Sequence, residues 1–347
     1  MIGQSRRIRG ILPYGISILL VLLIVLFAIR YGSVMIPLET VVLTLLQEGF
    51  GVPLGVELEA SHVQIILHVR LPRIVLALLV GAALALAGAA FQGLLRNPLA
   101  DPFTLGVSSG SALGAVTVLF FHLSFLGTLT LPFVSILSGF ATLLFVIAFT
   151  RLVQRSLANE TIILTGIIIS SFLGAWLSLL VAFSQEDLRQ IISWLMGSVG
   201  MRGWSHVWIM LPFFVIGVTL LLTTRRELNA FIYGEETAQQ LGVSVTLKKF
   251  IILVGATCLT GAAVAVSGTI GFVGLVVPHM VRSLWGGDHR HLLPLSAILG
   301  AGFLVIADLT ARTIVSPAEV PIGVVTALVG SPLFGWMLYR QYRTKKG

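Results

Sequence analysis

Charge is scarce in this chain. Asp, Glu, Lys and Arg make up 10% of its 347 residues, where a soluble domain carries roughly a quarter. With 56% hydrophobic residues and a mean hydropathy of +1.01, the composition excludes a water-soluble globule and points to a polytopic membrane protein. Cysteine is nearly absent. Cys258 stands alone, so neither an intrachain disulfide nor a cysteine-based metal site is open to the chain. No G-x-x-x-x-G-K-[ST] loop surrounds any of the lysines, which excludes ATP binding by that route, and there is no H-E-x-x-H. His62, His68, His279, His289 and His291 are dispersed over different segments and suggest no shared metal site. No pair of carboxylates falls in an apolar run. Asp308 is the one acid that reads as embedded, and Arg312, four residues on, offers it a same-face partner. The residues therefore give no catalytic group, no metal ligand and no enzyme, and any uphill transport needs energy from another chain.

What is present is apolar length. Runs long enough to span a bilayer fall near residues 11–30, 103–121, 131–150, 161–183, 204–223, 249–267, 292–311 and 321–340. A longer run covers 62–95, broken near its start by Arg70, Pro72 and Arg73, and a shorter one covers 270–284. The first run follows Arg6, Arg7 and Arg9 as a signal peptide would, but it has spanning length and no small-residue cleavage site, so it is expected to be a retained span. About ten spans place both termini on one side. With the termini inside, only Arg30, Arg70, Arg73, Arg189, Arg202 and Arg312 of the 22 Lys and Arg fall outside, as the positive-inside bias requires. The net charge of +8 is then a property of cytoplasmic loops, and nucleic acid is not expected as a partner.

Three segments depart from plain membrane anchors. Residues Gly271–Arg282, GFVGLVVPHMVR, suggest a short, broken helix packed against others. Gly81–Gly88 (GAALALAG) and Gly261–Gly268 (GAAVAVSG) agree at five of eight positions and lie five crossings apart, so they predict an inverted repeat whose small residues let helices approach closely. The loop Arg225–Lys249 predicts a cytoplasmic knob. A turn spans Leu228–Tyr233, Gly234 separates it from a short helix at Glu235–Leu241, and Gly242 sits at the position after that helix. Ala238 and Leu241 are expected to face either a partner or the membrane domain. Arg70, Arg73 and Arg312, against the usual charge bias, predict either snorkelling to lipid phosphates or internal pairing, for example Arg312 with Asp308 or Glu319, or a positive outer patch that meets acidic groups on an extracellular partner.

Together these phrases resemble the permease subunits of ABC importers for iron–siderophore complexes, haem and cobalamin, the FecCD-type class. The resemblance rests on RLPR (Arg70–Arg73), Gly81–Ala115, GEETAQQLGV (Gly234–Val243), SGTIGFVGLVVPH (Ser267–His279), DHRHLLPLSAILGA (Asp288–Ala301) and Ala307–Phe334, and it covers nearly the whole chain after residue 60. It implies an all-α polytopic membrane protein with a BtuC-like permease fold and an internal inverted repeat, residues 1–347 forming one transmembrane permease domain. It implies a second permease subunit, identical or homologous, two cytoplasmic ATP-binding subunits that hold the ATP and magnesium, and an extracellular or periplasmic substrate-binding protein. No cofactor is expected on this chain. The loop 225–249 would couple to the ATPase through Leu228, Glu235, Ala238, Leu241 and Gly242, and Arg70, Arg73 and Arg312 would meet acidic groups of the binding protein. Asn97, Leu99, Asn159 and Glu160 resemble the cytoplasmic gate, although small hydroxyl residues are more usual where Glu160 stands. The implied function is import of a ferric siderophore across the cytoplasmic membrane of a bacterium, ATP closure tilting the repeats through the knob. Cobalamin or haem are the alternative cargoes. An ion-coupled secondary transporter would need an ionisable relay, and an intramembrane enzyme a catalytic pair facing a cavity; neither is written in the chain.

Overall fold

Helix is the one regular structure that satisfies every backbone polar group inside lipid without pairing to a neighbour, and the computed structural model of the chain is built from it. The structure describes residues 11–346 except Ser33, Phe50, Leu54, Gly55, Glu57, Arg155, Ser156 and Pro317. Among the described residues there is no strand. The basic residues Arg6, Arg7, Arg9 and Arg155, counted above toward the inner side, lie outside them.

The chain begins with α1 (Leu12–Arg30) and the short α2 (Leu38–Thr44). Next, α3 (Ala60–Gln64) runs through a π-helical stretch, Ile65–Arg70, into α4 (Leu71–Leu95). The interruption expected at RLPR is thus a widened turn and not a break. Pro72 has no N–H for the preceding turn, so the backbone relaxes there while the helix continues. The bundle continues with α5 (Val107–Phe120), α6 (Thr130–Gln154), α7 (Asn159–Phe183), α8 (Leu188–Leu195) and α9 (Trp204–Thr223). Two small helices follow, α10 (Arg225–Phe231) and α11 (Glu235–Gln240). The last four are α12 (Val245–Ser267), α13 (Val273–Trp285), α14 (His289–Thr313) and α15 (Ile322–Lys346). Seven helical segments have the length and apolarity of a membrane span, and Val107–Phe120 and Ile322–Met337 are shorter apolar helices.

Helices α4, α12 and α14 form the centre. In α4 and α12, 83% of the most apolar stretch is buried within the chain; in α7 the share is 6%. The small residues explain how the centre closes. A Cβ on Gly81 would lie 2.2 Å from the Gly300 carbonyl oxygen of α14, and one on Gly88 would lie 2.1 Å from that of Gly274 in α13. The backbones touch there, which dispersion rewards in a solvent as apolar as the side chains. The end of α4 and the start of α12 lie at the same end of the bundle, both bonded to Asn159, so the two copies of the small-residue phrase run antiparallel as predicted. They do not play equal parts. Gly88 is a mid-helix crossing point, whereas Gly268 ends α12 at φ +72° with Trp194 O where a Cβ would stand. The broken segment near 271 is also more specific than expected. The break precedes the helix, across residues 268–272, and α13 itself is continuous over 13 residues with Pro278 inside it.

Candidate functional site

Polar side chains gather at the two ends of the bundle. At one end, Arg73, near the start of α4, faces the last turns of α14. Its Nε donates to Asp308 Oδ1 at 2.9 Å, and its Nη1 and Nη2 donate to the two oxygens of Glu319 at 2.8 and 3.0 Å. The guanidinium fork is fully occupied, the geometry in which arginine binds carboxylates best. Arg312 lies 3.6 Å from Asp308 and gives its Nη2 to the Ala28 carbonyl at 2.6 Å. Arg70 donates to the carbonyls of Ile29, Arg30 and Val34. These two arginines thus close the carbonyl groups that the end of α1 leaves without helical partners. All three arginines are buried, none more than 9% exposed, and Asp308 is fully buried. The sequence offered Arg312 as the partner of Asp308; the closer partner is Arg73, from 235 residues away. Glu319 goes to Arg73 as well. It is the half-exposed member of the group, and the hydrogen bonds from Arg73 hold its carboxyl below the ordinary range.

At the other end lies the elbow made by α10 and α11. Gly234 turns the chain between them at φ +108°, and Gly242 ends α11 at φ +83°. The Gly242 and Val243 N–H groups donate to Gln239 and Ala238 carbonyls, the doubled C-terminal closure that requires a left-handed residue after the helix. Glu235 and Glu236 fill the first turn of α11. The expected choice for Ala238 and Leu241 resolves by burial. Ala238, Leu228 and Phe231 are withdrawn into the bundle, while Leu241 is 68% exposed beside exposed Ile232 and Tyr233. The elbow therefore has an apolar root and an apolar tip.

Polar bonds fix that root. Asn229 of α10 donates to Asp288 Oδ1 at 2.7 Å and accepts from the His289 backbone N–H at 2.9 Å, while Asp288 caps α14 by accepting from the Arg290 N–H. Burial pushes the Asp288 carboxyl up, but the hydrogen bonds from Arg290 and Asn229 outweigh it and leave the group below its ordinary range. Lys248 pairs with Glu227. Lys249 pairs with Glu235 at 2.6 Å and also bonds Asn159 Oδ1 at 2.8 Å.

The residues expected at a gate divide into two kinds. Asn159 is buried, and its Nδ2 donates to the Leu94 carbonyl at 2.9 Å. Asn97 folds back on its own turn, its Oδ1 accepting from the Leu99 N–H at 2.9 Å, after Arg96 closes α4 in the left-handed region. Leu99 and Glu160 are exposed. Asn97 and Asn159 thus belong to the same end as the elbow, through the end of α4. The sequence missed Lys249, Asn229 and Asp288 as structural posts. Lys248 and Lys249 point about 100° apart on the helix and take different partners, and the sequence alone does not say which is withdrawn. Among the described residues no three His, Cys, Asp or Glu side chains stand close enough to hold a metal ion.

Comparison with known proteins places this geometry. The model of the FecCD transport family matches residues 19–340. A Bacillus subtilis protein named as an uncharacterized ABC transporter permease, YvrB, is 55% identical over 92% of this chain and 91% of its own. The hemin transport system permease protein HmuU of Yersinia pestis is 44% identical over 81% of this chain and 85% of its own. Further relatives are named as permeases for cobalamin, Fe(3+) dicitrate and molybdate. Among solved structures, an inward-facing conformation of a metal-chelate type ABC transporter superposes with a TM-score of 0.82 at 36% identity, covering 95% of this chain and 99% of the other.

Proposed function

This chain belongs to the FecCD transport family, and from that premise we propose that it carries a ferric siderophore inward across the cytoplasmic membrane of a bacterium. It is a multi-pass permease of the ABC importer class. In our reading residues 1–347 act as one permease domain, both termini face the cytoplasm, and the elbow end is the inner end. Hydrolysis of ATP with magnesium belongs to two partner subunits, and the passage forms between this chain and a second permease, identical or homologous.

The observation that carries the reading is the elbow. An apolar tip of Ile232, Tyr233 and Leu241 is exposed at the end of a root fixed by buried Leu228, Phe231 and Ala238. Exposed apolar groups on a braced support fit an interface better than a solvated connector. Glu235 anchors the root, and Gly242 shapes the tip. Leu99 and Glu160 are the exposed members of the inner gate, with Asn97 and Asn159 holding the turns that carry them. At the outer end, Arg70, Arg73 and Arg312 brace the surface on which the substrate-binding protein docks. A carboxylate of that protein reaches Arg73 by displacing Glu319, while Arg70 and Arg312 stay on the end of α1.

Ferric-chelate cargo is supported by the metal-chelate type of the superposed transporter and by a relative named for Fe(3+) dicitrate. Cobalamin and haem are the second reading, favoured by relatives at 43% and 44% identity named for them. Purification from the native membrane tests the class: an ATP-binding subunit should accompany the chain. Uptake of ⁵⁵Fe-loaded siderophore into vesicles holding the complex should stop when that subunit's ATP site is disabled. Uptake of cobalamin but not of iron chelate would replace the cargo, and uptake by the isolated chain would overturn the mechanism.

A further inference from the structure

A single lysine joins the elbow to the helices of the gate. Lys249 lies in the first turns of α12 and is 1% exposed. Its ammonium reaches three acceptors in three segments: the Leu157 carbonyl in the turn before α7, Asn159 Oδ1 at the first residue of α7, and Glu235 Oε1 at the first residue of α11. An ammonium carries three protons, so its donor capacity is filled. Asn159 extends the path by donating to the Leu94 carbonyl at the end of α4. Elbow, α12, α7 and α4 are thus linked by four hydrogen bonds through two buried side chains.

The chemistry makes this link stiff. A buried ammonium that loses an acceptor bears a large desolvation penalty, so its acceptors follow it or it must leave. Beside the Lys249–Glu235 pair there is space. A cavity of about 760 Å³ between α11 and the start of α12 is lined by Glu235, Glu236, Gln239, Leu247, Leu157 and Lys249 itself. The elbow can therefore shift against α12 without collision, while the lysine bonds restrain the start of α7. We infer that Lys249 is a positioning residue that makes the start of α7 follow the elbow. The inference rests on the proposed coupling role of the elbow and adds to it the route by which that movement reaches the gate.

Paired spin labels test the route in the complete complex with its ATP-binding subunits. In a Cys258→Ala background, one label at Gln240 reports the elbow and one at Glu160 reports α7, each measured against a label at Ile314 at the other end of the bundle. Pulsed electron resonance compares the nucleotide-free complex with the same complex holding ATP and vanadate. With Lys249 in place both distances should shift. In Lys249→Met the Gln240 shift should persist and the Glu160 shift should be lost. Where Lys249→Met fails to assemble, Glu235→Ala cuts the elbow's bond to the lysine while leaving Lys249 its bonds to Leu157 and Asn159, and the same loss is expected. A Glu160 label that still moves with the elbow in the assembled variants would overturn the inference. Labels that stay still in the unmutated complex would remove the coupling role of the elbow itself, and the route with it.

Discussion

The two ends of this bundle solve the same problem in different ways. Each must hold charged side chains near lipid, where an unpaired charge is costly. At the arginine end the solution is closed. Arg73 is saturated by Asp308 and Glu319, and Arg70 and Arg312 are spent on the carbonyls of the α1 segment. At the elbow end, charges pair across segments joined by turns, through Lys249–Glu235 and Asn229–Asp288, and an apolar tip remains exposed. The first arrangement locks helices to one another. The second ties a pair of short helices to the starts of α7, α12 and α14.

The contrast can be broken most forcefully at Arg73. Arg73→Met leaves Asp308 fully buried without its nearest cation, and loss of one partner of a buried pair costs about 3–5 kcal/mol. Thermal unfolding of the detergent-solubilised chain should show a drop of that order. An unchanged midpoint would mean that the network does not brace this end. At the elbow end, Asn229→Ala removes the bonds to Asp288 and His289 and should cost about 1–2 kcal/mol. Hydrogen exchange should quicken in α10 and at the start of α14 while the arginine end is unaffected; uniform quickening would erase the distinction between the ends.

A smaller effect belongs to Glu319→Gln. Glu319 is half exposed, and Arg73 keeps Asp308 as a partner, so about 1 kcal/mol or less is expected. If a docking carboxylate takes the place of Glu319 on Arg73, this variant should bind the substrate-binding protein more tightly; equal affinity would remove that docking route. Acid should act in the same direction. Glu319 is depressed from an ordinary value of 4.5 and Asp288 from 3.8. A depressed acid stabilises the fold above its ordinary value, and the contribution is lost as pH falls through the lower folded value. Loosening on acidification should therefore appear around Glu319 and around Asp288 as each carboxyl protonates, which exchange measured along a pH series can follow. Least of all, Leu241→Ser should leave stability within about 0.5 kcal/mol, as exposed positions do, and yet weaken retention of the ATP-binding subunit on a column. Full retention would show that the tip is not the contact.

Much of this was legible in the chain. Apolar length gave the helices, and Gly234 and Gly242 gave the elbow because each must take a positive φ that other residues resist. The small-residue phrases gave the antiparallel relation of α4 and α12. What could not be read was pairing at a distance. Nothing local to Asp308 announces Arg73, and the nearby Arg312 was the reasonable partner by helical spacing. The same holds for Lys249, whose acceptors come from a turn about 90 residues earlier and from the elbow. Burial was the other silent quantity: the three arginines were singled out by their sidedness, but only the packed helices reveal that they are withdrawn from water.

The low burial of α7 has a consequence of its own. A helix can swing cheaply only if few neighbours must be unseated when it does. Within this chain α7 rests mainly on α5 and α6 and keeps most of its surface free, while α4 meets α13 and α14 through bare backbone. On the proposed coupling route α7 is then the door in a rigid frame, and a small pull at the foot of that door would move it without disturbing the wall in which it hangs.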